Sequence, residues 1–117
     1  MVDMSSIIAV IQRTRVDLSD EKRAQAEIAA AFGAAGISAA REVRLGAGDI
    51  IDFLAQGVGI EIKLRSSSRR EILRQLRRYA LHPEVRELVL ASNIAIALPR
   101  EIEGKPVGFA SLGRAWL

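Results

Sequence analysis

The sequence predicts an α/β domain in the order helix, strand, hairpin, helix, strand, strand, with a mixed sheet flanked by helices. An alanine-rich stretch, "LSDEKRAQAEIAAAFGAAG" (18–36), has helical spacing, a capping residue in front and glycines at its end. Two apolar runs of period two flank Gln56-Gly57 in "GDIIDFLAQGVGIEIKLR" (48–65), the pattern of a β-hairpin. A second helix, "SSSRREILRQLRRYALHP" (66–83), then separates that hairpin from the apolar run "ELVLAS" (87–92), which makes a βαβ crossover and a parallel strand pair.

With 117 residues, 1–117 is expected to be one domain with a real core and no room for a second. Half the residues are hydrophobic and 26% are charged, a globular balance and not a disordered one. There is no cysteine, which excludes disulfides and thiolate zinc sites and fits a reducing, cytoplasmic setting. "MVDMSSIIAVIQRTR" lacks a basic n-region and is not expected to be a signal peptide; no stretch reaches the ~20 apolar residues of a membrane span.

Taken in order, Ser5 to Thr14 carries Ile7, Ile8, Val10 and Ile11 at helical spacing, against their β-branched content. The next helix is capped by Ser19 or Asp20, and its inward stripe is Ala24, Ile28, Ala31, Phe32 and Ala35, with Glu21 on the same stripe. "REVRL" (41–45) alternates and predicts a strand. A Gln56-Gly57 turn pairs Ala55 with Val58, Phe53 with Ile60 and Asp52 with Glu61. Ile51, Phe53, Ala55, Val58, Ile60, Ile62 and Leu64 then share one face, and Ile50, Asp52, Leu54, Gly59, Glu61 and Lys63 the other. In the following helix Ser68 and Glu71 make an S-x-x-E capping box, His82-Pro83 is the stop, and Ile72, Leu76, Tyr79 and Ala80 face inward with Gln75 beside Tyr79. The tail adds a Gly-Lys-Pro turn and a strand near Val107 to Leu112.

Two carboxylates facing each other across a hairpin repel unless a proton or a cation lies between them. Mg²⁺ takes oxygen ligands, typically one or two carboxylates with water and phosphate, and a nearby lysine suits phosphodiester hydrolysis. Asp52 and Glu61 are therefore the candidate metal ligands and Lys63 the candidate water-positioning residue; Mn²⁺ has the same ligand preference. Residues 63–78 carry Lys63, Arg65, Arg69, Arg70, Arg74, Arg77 and Arg78 against Glu71 alone, a local +6 in a chain of net +3. That patch is expected to meet a polyanion, its alternative being a solvated helix face.

"IDFLAQGVGIEIK" resembles the motif of the PD-(D/E)xK nuclease superfamily, an acid followed by E-x-K on a hairpin, with Ile51 where the name-giving proline often stands. "QLRRY" resembles the QxxxY element of its RecB-like branch, carried here by Gln75 and Tyr79, and "AQAE" resembles the start of archaeal Holliday junction resolvases. The resemblance covers residues 19–92. It implies a restriction-endonuclease-like α-β-β-β-α-β core and a Mg²⁺-dependent nuclease acting on nucleic acid, expected to be DNA, with homodimerisation or a partner protein supplying specificity. It also implies a supporting glutamate from the first helix of that core. Glu21 is preferred because it lies on the inward stripe, whereas Glu27 sits about 100° round the helix. The second functional reading is a non-catalytic module that binds nucleic acid or protein. Asp49 is read as a turn residue, His82 as structural, and Trp116 as packing or an interface.

Overall fold

The computed structural model describes residues 2–64 and 68–117. Helix α1 spans Met4–Gln12, with the Asp3 side chain accepting from Ser6 N–H at its start. Its β-branched residues do not prevent a helix, because Ile7, Val10 and Ile11 gain complete or nearly complete burial. Helix α2 spans Glu21–Ala34 and is capped by Asp20, which accepts from Arg23 N–H. Ser19 bonds Asp17 instead. Ala24, Ile28 and Phe32 form the buried stripe of α2 as expected, but Ala35, at the C-cap, is exposed.

Strands β1 (Ala40–Gly46), β2 (Asp49–Ala55), β3 (Val58–Lys63), β4 (Glu87–Ser92), β5 (Glu101–Ile102) and β6 (Lys105–Ser111) make a mixed six-stranded sheet in the order β1-β2-β3-β4-β6-β5. Gln56 and Gly57 both have positive φ (49° and 86°), as a two-residue type I′ turn requires. Their turn sets the expected register, Ala55 opposite Val58 and Phe53 opposite Ile60. Helix α3 (Arg69–Ala80) carries the chain from β3 to β4, and those two strands pair in parallel. Strand β6 adds in parallel to the other edge of β4. The tail turn is Glu103-Gly104, joining β5 to β6, so Lys105 and Pro106 lie in a strand and not in the expected Gly-Lys-Pro turn.

The sheet is covered on both faces. Helices α1 and α2 pack with Phe53, Ala55, Val58, Ile60, Ile62, Leu64, Val89, Ala91 and Ala110. On the other face, Ile72, Leu76, Tyr79 and Ala80 of α3 pack with Leu88 and Leu90. Ile51 corrects the expected alternation: it belongs to the α3 face and not to the face of Phe53. Glu42, in the neighbouring strand β1, adopts φ 49°. Gly59 makes room for Ile51 on that face, since a Cβ at position 59 would lie 2.6 Å from Ile51 Cδ1. Among the described residues no helix is long and apolar enough to cross a membrane.

Candidate functional site

The β2–β3 backbone ladder stops at Phe53 opposite Ile60, so the expected backbone pair between Asp52 and Glu61 does not form. Side chains close the gap in its place. Asp52 N–H donates to Glu61 Oε1 at 3.3 Å, and Ile62 N–H donates to Asp52 Oδ2 at 2.8 Å. The Asp52 carboxylate thus stands in for the β2 carbonyl that Ile62 N–H would otherwise have met.

Glu61 is 5% exposed, which is rare for an acid that lacks a strong partner. Burial and then the Asp52 charge push its carboxyl up to about 8, against the pull of Lys63. Burial also raises the Asp52 carboxyl above its ordinary range, opposed by the Ile62 hydrogen bond and by Lys63. Lys63 Nζ lies 3.5 Å from Glu61 Oε2 and is the cation of the site. The acid–acid–lysine set expected from the sequence is therefore brought together.

Helix α3 holds Glu61 from the other side. The Tyr79 hydroxyl is 3.3 Å from Glu61 Oε2 and 3.0 Å from the Ile50 carbonyl, and it accepts from Gln75 Nε2 at 2.8 Å. One hydroxyl proton serves only one of those two acceptors at a time, and a protonated Glu61 can itself donate to Tyr79. Burial and the neighbouring carboxylates hold the Tyr79 hydroxyl well above its usual range. Gln75 and Tyr79 are thus assembled behind the acid pair.

The two glutamates of α2 separate clearly. Although Glu21 is exposed as a residue, its carboxyl is near Lys63, Asp52 and the Leu64 N–H, and partial burial raises it. Glu27 accepts from Asp17 N–H at 2.7 Å and so fastens the α1–α2 connection. Gln25 is the site residue that the sequence reading missed: its Nε2 donates to Asp52 Oδ1 at 3.1 Å. The available signal was its spacing, one helical turn after Glu21 on the same side of α2.

Among the described residues no three acidic or histidine side chains form a metal-holding group. The donor set is the Asp52–Glu61 pair with Glu21 beside it, and a pair is what Mg²⁺ commonly takes from protein when water and phosphate complete its shell. The pair fits a hard cation on its own chemistry, because a buried and a partly buried carboxyl held side by side gain by exchanging a proton for a metal.

The basic helix face is less uniform than its spacing predicts. Arg69 donates to the Ala97 carbonyl, Arg77 pairs with Glu103 at 2.6 Å, and Arg78 pairs with Asp49 at 3.1 Å. Arg70 and Arg74 are exposed and have no ion-pair partner among the described residues. The sequence-predicted contact Arg65 lies outside the described residues. Asp49 is not a turn residue; it lies in β2 and joins Arg78 to His82 Nε2 at 2.9 Å, which pulls its carboxyl below the usual range. His82 is accordingly a packing partner at the end of α3. Trp116 packs under Arg15, whose guanidinium is 5.0 Å from the ring centre, and donates to the Val16 carbonyl.

Comparison with family models, with curated proteins and with solved structures gives no match to this chain.

Proposed function

We propose that this chain is a Mg²⁺-dependent nuclease of the PD-(D/E)xK type, on a restriction-endonuclease-like core, hydrolysing phosphodiester bonds of nucleic acid, with DNA the expected substrate. The observation that carries the reading is the interlocked pair Asp52–Glu61 with Lys63 Nζ 3.5 Å from Glu61. A core that only had to fold would gain nothing from two carboxyls in a strand ladder, one of them 5% exposed. Asp52 and Glu61 would hold the metal, and Glu21, whose carboxyl feels the Asp52 charge, would support it through water. Mg²⁺, when bound, supplies Lewis-acid polarisation of a phosphoryl oxygen and a more acidic water. Lys63 positions the attacking water and offsets charge that develops on the phosphate. Gln75 and Tyr79 fix the Glu61 carboxyl, Gln25 fixes the Asp52 carboxyl, and Arg69, Arg70, Arg74, Arg77 and Arg78 face the strand's remaining phosphates.

Incubation with plasmid, linear, single-stranded and branched DNA and with RNA, in Mg²⁺, Mn²⁺ or EDTA, tests the reading. Metal-dependent cleavage by the wild type, absent in Asp52→Asn and Glu61→Gln, is the expected result. Absence of any hydrolysis together with no millimolar Mg²⁺ binding by calorimetry would overturn it. Nucleic-acid binding that survives such a result would make the chain a non-catalytic binding module.

A further inference from the structure

Beside the acid pair lies a cavity of about 290 Å³ whose walls are polar and mostly cationic. Lys63 forms one side, and Glu71, Arg74, Gln75 and Arg78, one stripe along α3, form the other. Its size falls just under the ~300–1,000 Å³ of clefts that take drug-sized apolar ligands, and its lining suits a small charged group. Among the described residues that line it, three cations stand against one acid, Glu71, whose Oε1 accepts from the Ser68 hydroxyl at 3.1 Å. Arg78 spends its Nε on Asp49, which leaves its terminal nitrogens available, while Arg74 has no ion-pair partner among the described residues. A planar guanidinium presents paired donors that match two oxygens of a phosphate.

We propose that this cavity is a dedicated phosphate seat, separate from the metal-holding pair, that grips a phosphate next to the linkage being cut. The inference rests on the nuclease reading for that position along the strand, since Lys63 is shared by the cavity and the acid pair. The group recognised is the phosphate itself, either an internal diester or a terminal monoester. Arg74 is its principal anchor, Arg78 and Lys63 add charge, and Gln75, already bonded to Tyr79, ties the seat to Glu61. A strand held there would be registered against Lys63 by its backbone and not by its bases.

Binding measured in EDTA separates this seat from catalysis. Inorganic phosphate and short single-stranded oligonucleotides with a 5′-phosphate, a 3′-phosphate or neither would be titrated into the wild type, Arg74→Gln and Arg114→Gln. Arg114 is exposed and lies outside the cavity, so it serves as a charge-matched control. The expected result is a ~10- to 100-fold loss of affinity for inorganic phosphate and oligonucleotides in Arg74→Gln, the worth of a charge-assisted Arg–phosphate contact, with Arg114→Gln near wild type. A terminal phosphate that tightens binding identifies the monoester as the occupant; equal binding of all three oligonucleotides identifies the diester. Equal losses in the two variants, or no inorganic phosphate binding by the wild type, would overturn the seat. Phosphate binding without metal-dependent cleavage would leave the seat standing while the nuclease reading fell, and cleavage without it would do the reverse.

Discussion

Asp52 Oδ2 accepts a hydrogen bond from Ile62 N–H at 2.8 Å, so a candidate metal ligand also completes the strand pairing that positions it. Alanine and asparagine at this position are therefore expected to differ. Asp52→Ala leaves Ile62 N–H without its acceptor and should cost about 1–3 kcal/mol of stability as well as all cleavage. Asp52→Asn keeps an oxygen for Ile62, and Gln25 can turn its amide to match; cleavage should vanish with little change in melting temperature. Denaturant melts of both variants check this, and equal destabilisation would mean that the Ile62 bond contributes nothing.

Glu61 gives a pH dependence with a definite sign. A carboxyl held near 8 keeps its proton in the fold where the unfolded chain, at 4.5, has released it. Stability of the metal-free protein should therefore be fully present below about pH 4.5, as far as this group is concerned, and fall as pH rises toward 8. Glu61→Gln should flatten that slope in thermal melts taken in EDTA. Mg²⁺ binding to the wild type should release protons below pH 8, a release that calorimetry in buffers of different ionisation enthalpy would detect.

Glu21 and Glu27 do different jobs, and variants should show it. Glu21→Gln is expected to lower Mg²⁺ affinity or rate by roughly 10- to 100-fold without loss of stability. Glu27→Ala should leave the metal site alone and cost about 1 kcal/mol, because the Asp17 N–H loses its acceptor. Reversed outcomes would place the supporting acid at Glu27 and sink the assignment made from the geometry.

Gln25 acts through Asp52 and is a positioning residue. Gln25→Ala should lower kcat and Mg²⁺ affinity together while leaving metal-free DNA affinity unchanged, and Gln25→Asn, one methylene shorter, should rescue little. A change in DNA affinity alone would assign Gln25 to substrate contact and refute this role.

The arginines of α3 should contribute unequally to salt-dependent binding. Each free phosphate contact is worth up to about one unit of slope in log K against log salt, so Arg70→Gln and Arg74→Gln should each flatten the slope. Arg77→Gln should flatten it less, because Arg77 is already paired with Glu103. Identical slopes for wild type and the Arg70/Arg74 double variant would mean that this face is only solvated.

Much of this architecture was legible because it is local. Two positive-φ positions at Gln56-Gly57 fix the register of Phe53 with Ile60, and Ser68 with Glu71 fixes the start and phase of α3, hence Tyr79 behind Glu61. What escaped depends on partners far away in sequence. Ile51 lies on the α3 face, and the Asp52–Ile62 hydrogen bond and the left-handed backbone at Glu42 interrupt the regular ladder beside it, which no alternation pattern encodes. Gln25 and Asp49 gain their roles only once α2 and α3 dock, placing them against Asp52, Arg78 and His82. The same holds for Arg77, whose partner Glu103 lies in a turn that the sequence pattern put one residue too far along.

The placement of β6 on β4 reaches beyond the site. Ser111 N–H donates to Gln12 Oε1, and Trp116 Nε1 to the Val16 carbonyl, across 99 and 100 residues of chain. Such closures are slow, since the entropy of a long loop is lost before its contacts repay it. On a ribosome, α1 emerges well before β6, on which it packs. Until then Ile7, Val10 and Ile11 lack part of their cover, a sticky surface that invites a chaperone. Pulse-labelled hydrogen exchange during refolding should find the α1 amides protected after those of the β2–β3 hairpin; earlier protection of α1 would contradict this order. The nascent chain thus carries the acid pair and the helix behind it long before the sheet that holds them is closed.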